Sequence, residues 1–519
     1  MQIIENRALL MVTKKADQIA ALIPKSKILG RDPNNPERAK ILVNWDLDEV
    51  RLLRNLGIKE VPHPILGQYA WPGTDVPFEH QKVAAAFMAG HARCFNLSEA
   101  GTGKTRSVAW AADYLMSRGL VKRVLVVCPV SIMETAWRAD LFRTVMHRSV
   151  DIATGSRTKR AEVIASGAEF VIINFDGVKV VAKELKAAKF DLIVVDEANS
   201  VKSVSTDRWK ALNSLIDTDT RIWMMTGTPA SQSPLDAYGL ARIVNPAGVP
   251  HHFGGFRDKV MVKLTQYKWA PKKDALDVVY KALQPAIRFT KEECLDLPEI
   301  LYTTREVPLT KQQQQYYDKL RKEMVAIAAG EEITATNAAS MLTKLLQVSS
   351  GAVYTTNKEV IEFDVSNRMT ELLNIIAETS KKVIVFVPFR HSMTMIAEEL
   401  AKQGITSEAI HGGVNATQRG EIIKRFQTED APKVLLLIAQ ATAHGITLTR
   451  ADTVVWWGPI ASTELYIQGN ARAHRAGQRN PVTVVHLQGS PVETRMYTML
   501  QSKVDVHQNL VDLYKQEIA

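Results

Sequence analysis

The stretch RCFNLSEAGTGKT, residues 93–105, decides how this chain is read. A short apolar run over 93–97 reads as a strand, the glycine-bearing loop follows it, and the residues beyond read as a helix. That order lets backbone N–H groups cradle phosphate oxygens at a helix N-terminus. Gly101 and Gly103 let the backbone come close, Lys104 is suited to the β- and γ-phosphates, and the Thr105 hydroxyl to Mg²⁺. Ala100 and Thr102 complete the loop that would line a nucleotide. Ser98 stands where the pattern GxxxxGK[ST] has its first glycine, and a glycine-rich turn with a solvated lysine has the same local look.

Working outward, apolar runs at 124–128, 170–173, 192–195 and 222–225 have the continuous character of strands buried on both faces of a parallel sheet. With the helices between them they predict a doubly wound α/β domain over 76–245. The same rhythm returns in runs at 383–387, 408–410, 434–438, 453–457 and 482–487, which predicts a second α/β domain over 361–490. Residues 246–360 between them read as a helical insertion, and 491–519 as a C-terminal helix. Residues 1–75 read as a small α+β unit with strands at 8–12 and 41–45 and helices at 15–23 and 48–56, closed by a Pro- and Gly-punctuated stretch.

The run FDLIVVDEAN, residues 190–199, delivers Asp196 and Glu197 at the carboxyl end of a predicted strand, where open α/β sheets bind ligands. Asp196 is placed to hold Mg²⁺ through water and Glu197 to orient and deprotonate an attacking water. A lone Asp-Glu pair is often only a helix cap; its partnership with the loop at 98–105 argues for chemistry. Arg472 and Arg475 fall at i, i+3 in QGNARAHRAGQ, residues 468–478, and are expected on one helix face. Guanidinium groups stay charged and bind phosphate bidentately, although a basic surface helix has the same pattern.

Taken together, AGTGKT (100–105), DEAN (196–199), TGTPA (226–230) and QGNARAHRAGQ (468–478) resemble the helicase motifs of superfamily two. AQATAHGITLTRADTVVWW (439–457), IRFTKEECLDLPE (287–299) and PLTKQQQQYYDKL (308–320) most resemble the Swi/Snf-like DNA translocases, of bacterial or phage type. The resemblance spans about residues 77–490. It implies two tandem RecA-like parallel-sheet lobes with ATP between them and nucleic acid across both. It puts Gln81 at the base, Gly445 and Gln468 against the nucleotide, Arg475 as arginine finger and Arg472 as its partner. It implies that Ser131, Asn174 and Thr226 in the first lobe, and Arg390, His411, Gly412 and Gln440 in the second, touch the tracking strand or couple it to hydrolysis. Asn199 departs from the histidine usual at its place, so the coupling of hydrolysis to DNA movement is expected to be wired differently.

The implied activity is an ATP-dependent, Mg²⁺-dependent double-stranded DNA translocase that remodels forked or branched DNA. A strand-separating DNA or RNA helicase remains open, as does an ATP-switched protein that displaces or recycles a DNA-bound machine such as RNA polymerase. The chain is short for a chromatin remodeller with histone-reading modules. Residues 1–75, with 11 basic against 9 acidic residues, would recognise a DNA structure, dock a protein partner or brace the first lobe.

Composition is consistent with this. The 519 residues leave room for about three domains, and 65 Lys and Arg against 55 Asp and Glu, net +10, favour a polyanionic partner. Cys94, Cys128 and Cys294 lie far apart, against a disulfide framework or a zinc site. No long apolar run predicts a membrane span and no signal peptide is evident, so a cytoplasmic monomer is expected. Trp456 and Trp457 read as core, His251 and His252 lack a metal-ligand pattern, and Asn199 occupies the place where a PD-ExK nuclease needs lysine.

Overall fold

The computed structural model describes the chain apart from residues 231–232, 266–268, 295–296, 331–334, 355–358, 443–445 and 503–519. It forms two compact units that divide mainly between Thr290 and Lys291, with the short segments Ala100–Thr102 and Ala230–Pro234 grouped with the second.

The first unit opens with strands β1 (Gln2–Ile4), β2 (Ala8–Thr13), β3 (Ser26–Asp32) and β4 (Asn35–Asn44), an antiparallel sheet in the order β1-β2-β4-β3. The helices Ala16–Leu22 and Leu47–Asn55 close over one face, burying Leu9, Met11, Ile19, Ile41, Val43, Trp45 and Leu53. Asp46 accepts the Leu47 N–H at the start of the second of these helices. β1 and β3 escape the sequence reading because both are largely exposed and lack a clean apolar alternation.

Next come β5 (Arg93–Asn96), β6 (Val124–Cys128), β7 (Val150–Ala153), β8 (Phe170–Asn174), β9 (Leu192–Asp196) and β10 (Arg221–Met225). After a small hairpin of β11 (Met261–Lys263) and β12 (Trp269–Pro271), β13 (Ala286–Ile287) completes a seven-stranded parallel sheet, β13-β5-β10-β9-β6-β8-β7. Its central strands are buried throughout, which is why they read as continuous apolar runs. The helices Glu79–Ala89 and Lys104–Ser117 pack on the face that carries Cys94, Val126, Val194 and Trp223.

The second unit contains β14 (Ile300–Glu306), the hairpin β15 (Ala352–Tyr354) and β16 (Val360–Glu362), then β17 (Lys382–Phe386), β18 (Ser407–Ile410), β19 (Val434–Leu437), β20 (Ala451–Trp456) and β21 (Val482–Gln488). Six of these make a parallel sheet, β14-β21-β20-β17-β19-β18. Ile384, Phe386 and Trp456 pack with Tyr317, Leu342 and Leu345 on one face. Val383, Val385 and Trp457 pack with Leu372, Ile376 and Ile396 on the other. Alternate residues of one strand thus enter two different cores, and both tryptophans of the 456–457 pair are core, as read from the sequence.

The stretch 246–360 departs from the helical insertion expected of it. It holds the helices Lys311–Gly330 and Ala335–Ser350, but also β11 to β16, with β13 joining the first sheet and β14 the second. A two-residue strand leaves no periodicity to read. β14 is an edge strand with several exposed positions, so it lacks the continuous apolar run of its neighbours. The final helix runs Pro491–Gln501 with Ser502 as its C-cap, and residues 503–519 of the expected 491–519 helix lie outside the described residues. Among the described residues no helix is long and apolar enough to cross a membrane.

Candidate active site

Parallel register places the candidate residues of the first unit. Met225 pairs with Asn96 on one side and Asp196 on the other, and Cys128 pairs with Asn174, so the strands end along one edge of the sheet. The loop after β5, Ser131 after β6, Asn174 ending β8, Asp196 ending β9 and Thr226 after β10 therefore share that edge.

Within the loop, Gly101 and Gly103 take φ of +92° and +81°, where a side chain is strained. A Cβ at Gly103 would also lie 2.0 Å from Nε2 of Gln81, which brings the buried Gln81 carboxamide against the loop. Gln81 is held at the start of its helix by accepting the Phe78 N–H at 3.0 Å. The Lys104 ammonium donates to the carbonyls of Ser98 at 2.8 Å and Glu99 at 3.1 Å, so it spans the loop it would serve. Ser98 has no positive φ, and its hydroxyl accepts the Phe289 N–H at 3.1 Å. The missing first glycine is thereby accounted for: serine here fastens the loop to the chain that follows β13. Thr105 is the second residue of the helix Lys104–Ser117.

Asp196 is buried, and its two oxygens have separate donors: Oδ1 takes the Glu197 N–H and Oδ2 the Trp137 indole N–H, each at 2.9 Å. Burial and then the Glu197 charge push its carboxyl above the usual range, while Lys104 pulls the other way. Glu197 itself sits at φ +53°, a left-handed conformation that costs a non-glycine residue energy. Asn199 donates from Nδ2 to the Thr228 carbonyl at 2.8 Å and to its hydroxyl at 3.1 Å. Thr228 N–H in turn donates to Thr226 Oγ1 at 3.2 Å, and Thr226 N–H to the Asn96 carbonyl at 3.2 Å. The amide at position 199 therefore connects the acidic strand end to TGT and on to β5. Asn174 is engaged as well, its Oδ1 accepting from Arg160 at 2.9 Å.

In the second unit the ends of β17, β18 and β19 are also aligned, with Phe386 and Ile410 both paired to Leu437. Arg390 begins the helix Arg390–Lys402 and is exposed; His411 and Gly412 follow β18; Gln440 lies exposed in the turn Ala439–Thr442. His411 accepts the Gly413 N–H on Nδ1 at 3.0 Å, which fixes its ring.

One expectation is corrected. The helix Thr463–Ala473 ends before Arg475, so Arg472 and Arg475 do not share a helix face. They converge by another route: both donate to the Ile446 carbonyl, at 3.4 and 2.9 Å, because the chain turns at His474. That turn is held by Gln478, whose buried amide donates to the carbonyls of Ala451 at 2.8 Å, Ala473 at 3.2 Å and Thr449 at 3.3 Å. Gln468 is buried on the same helix as Arg472. Gly445 lies outside the described residues. Sequence reasoning assigned nothing to Gln478 and did not single out Trp137. Gln478 stood inside the quoted motif, whereas nothing in the sequence signals that Trp137 reaches Asp196.

A model of the SNF2-related domain matches residues 80–351, and one of the helicase conserved C-terminal domain matches 366–477. The chain belongs to the SNF2-related family. Its SNF2 relatives include an uncharacterized ATP-dependent helicase, MG018, of Mycoplasma genitalium, 26% identical over 75% of this chain and 37% of the relative. The SWI/SNF-related matrix-associated actin-dependent regulator of chromatin subfamily A-like protein 1 of Xenopus tropicalis is 25% identical over 89% of this chain and 50% of its own length. This SNF2 chain spans half or less of the length of both. Among solved structures, the Sulfolobus solfataricus SWI2/SNF2 ATPase core in complex with dsDNA has 19% identity and a TM-score of 0.42, covering 86% of this chain and 97% of that one.

Proposed function

We propose that this SNF2-family chain is an ATP-driven translocase on double-stranded DNA that remodels forked or branched DNA. The observation that carries the reading is the common strand-end edge of the first sheet, where Lys104, Asp196, Glu197 and Thr226 assemble and Asn199 joins acid to TGT.

In this reading Lys104 leaves the Ser98 and Glu99 carbonyls for the β- and γ-phosphates, which the backbone N–H groups of 100–105 cradle. Glu197 orients the attacking water and takes its proton. Arg472 and Arg475 supply the cationic charge that a transferring phosphoryl group calls for. The hydroxyl of Thr105 and the carboxylate of Asp196 are hard oxygen donors that fit Mg²⁺, and each Asp196 oxygen keeps a lone pair beyond its one N–H donor. A Mg²⁺ held by these two residues would supply positive charge to the nucleotide phosphates. Ser131, Asn174, Thr226, Arg390, His411, Gly412 and Gln440 are assigned to the nucleic acid, mostly at phosphates, so binding is weakly sequence-dependent and salt-sensitive.

For residues 1–75 the bracing role is favoured. Arg118 pairs with Asp46, the Gln68 amide donates to the Trp45 carbonyl, and Arg118 also reaches Gln68 at 3.4 Å, so the small unit is fastened to the helix that follows the phosphate loop.

The test is ATP hydrolysis by the purified protein with single-stranded, duplex and forked DNA and an RNA control, with Lys104→Ala as the blank. Greatest stimulation by duplex or forked DNA is expected. Stimulation by single strands or RNA alone would sink the translocase and promote a strand-separating helicase.

A further inference from the structure

The segment leaving β6 is unusual in its backbone. It makes the short turn Val130–Ile132, which holds Ser131, and then a six-residue π-helical turn, Met133–Arg138, before the helix Ala139–Thr144. A π turn takes an extra residue per hydrogen-bonded ring, is rare, and is frequently found at functional sites. Trp137 lies in this turn, fully buried, and its indole N–H points at Asp196 Oδ2, 2.9 Å away.

A buried indole N–H needs an acceptor, and a backbone carbonyl would satisfy it at lower cost than a carboxylate that must also serve a cation. Trp45, Trp110, Trp209, Trp223 and Trp457 in this chain do donate to carbonyls. Trp137 instead spends its N–H on the acid at the end of β9. With Glu197 N–H on Oδ1 and Trp137 on Oδ2, any rotation of the carboxylate breaks a charge-assisted hydrogen bond. The lone pairs left over are thereby aimed in one direction.

We infer that Trp137 is a positioning residue that fixes the rotation of the Asp196 carboxylate and ties it, through the π turn, to the Ser131 turn. A nucleic-acid strand seated at Ser131 and a cation held by Asp196 then share one rigid connection of a few residues. This rests on the reading of Asp196 as the Mg²⁺-holding acid, and it adds to that reading the group that orients it.

The test uses the full chain and fluorescent ADP, with binding followed by anisotropy as MgCl₂ is titrated. Trp137→Phe keeps an aromatic ring and removes the donor. It is expected to raise the Mg²⁺ concentration for half-maximal binding about tenfold, the usual order for losing an outer partner of a metal-holding group. Nucleotide affinity in EDTA and the melting temperature stay close to the parent, and the ratio of DNA-stimulated to basal hydrolysis falls. An unchanged Mg²⁺ midpoint in folded Trp137→Phe, with a midpoint displaced by Asp196→Asn, overturns the role of Trp137 alone. A midpoint unmoved by Asp196→Asn overturns the reading of the acid and the inference with it. If Trp137→Phe does not fold, β-(3-benzothienyl)alanine placed at position 137 preserves the bicyclic volume and replaces N–H by sulfur, and the same midpoint decides.

Discussion

In the first unit, Asp196, Asn174 and Thr226 stand at or just beyond strand ends, and parallel register alone brings them to one edge. In the second unit, Arg472 and Arg475 stand on either side of a helix end, and what gathers them is the Ile446 carbonyl and the buried amide of Gln478. One site is set by backbone, the other by side chains. A backbone-set site tolerates loss of a functional side chain with its fold intact, whereas a side-chain-set site loses geometry and stability together. The largest expected effect probes the first half of that contrast. Glu197→Gln should lower kcat for ATP hydrolysis by about 10²–10⁴-fold while nucleotide binding and thermal stability stay near the parent, measured by steady-state kinetics, anisotropy and calorimetry. A comparable loss of stability would show that the acid edge also depends on its side chains.

The second unit carries the complementary case. Arg368 and Glu493 are buried together in a bidentate pair, both bonds at 2.8 Å, and Arg368 also donates to the Trp457 carbonyl at 2.6 Å. Glu493 accepts the Gly489 N–H at 2.8 Å, which fixes the chain leaving β21. Arg368→Ala leaves a buried carboxylate without its cation and should cost about 3–5 kcal/mol in urea unfolding of the full chain. The double variant Arg368→Met with Glu493→Leu should recover most of that, because removing both charges removes the desolvation cost as well. If the double variant is as unstable as the single one, the pair is not what holds this corner.

The contrast also explains what could be read from sequence. β6, β9 and β17 are continuous apolar runs because helices cover both faces of their sheets, so the strands and the acids and loops at their ends were legible together. β7 is interrupted by Asp151, β13 has only two residues, and β14 sits at an edge, so each lost the signal that burial on both faces supplies. Arg472 and Arg475 were recognised by residue type and spacing, but their convergence depends on where the helix stops, and that is set by Gln478 bonds to chain segments distant in sequence. The Trp137 contact spans 59 positions and a π turn, neither of which leaves a local pattern.

Each unit buries a neutral histidine, which gives a pH test of moderate size. Burial pushes His486 down from 6.5 to about 4; its neighbours are Tyr466, hydrogen-bonded at 3.0 Å, the stacked rings of Tyr497 and Tyr302, and Gln501, none of which is charged between pH 4 and 7. His63 in the first unit is pushed from 6.5 to about 3, by burial and then by the Arg54 charge. Between the depressed folded value and 6.5 the unfolded chain binds more protons, so this stability is fully present above pH 6.5 and is lost as pH falls. For His486 the loss should approach about 3 kcal/mol by pH 4. His486→Phe should remove the share of that slope due to His486 in urea titrations between pH 4 and 6.5 and leave the share due to His63, which continues down to about pH 3; an unchanged slope would mean that His486 binds its proton equally well in the folded and unfolded chain.

The smallest expected effect concerns a hydrogen-bonded link that joins neighbouring strand ends of the backbone-set site. Asn199 donates to both the carbonyl and the hydroxyl of Thr228, and through Thr226 the link continues to Asn96 beside the phosphate loop. Asn199→Ala removes those two bonds without touching Asp196 or Glu197, so it should cost only about 1 kcal/mol of unfolding free energy. If strand contact at Thr226 is felt at the acids through this link, basal ATP hydrolysis should stay close to the parent while its stimulation by duplex DNA falls about three- to tenfold, the kinetic equivalent of one such bond. Asn199→His, which offers a ring N–H where the family's usual residue stands, should recover part of the stimulation. Equal losses of basal and stimulated rates in Asn199→Ala would instead show that the amide serves the acids themselves, and that strand contact reaches them by another path.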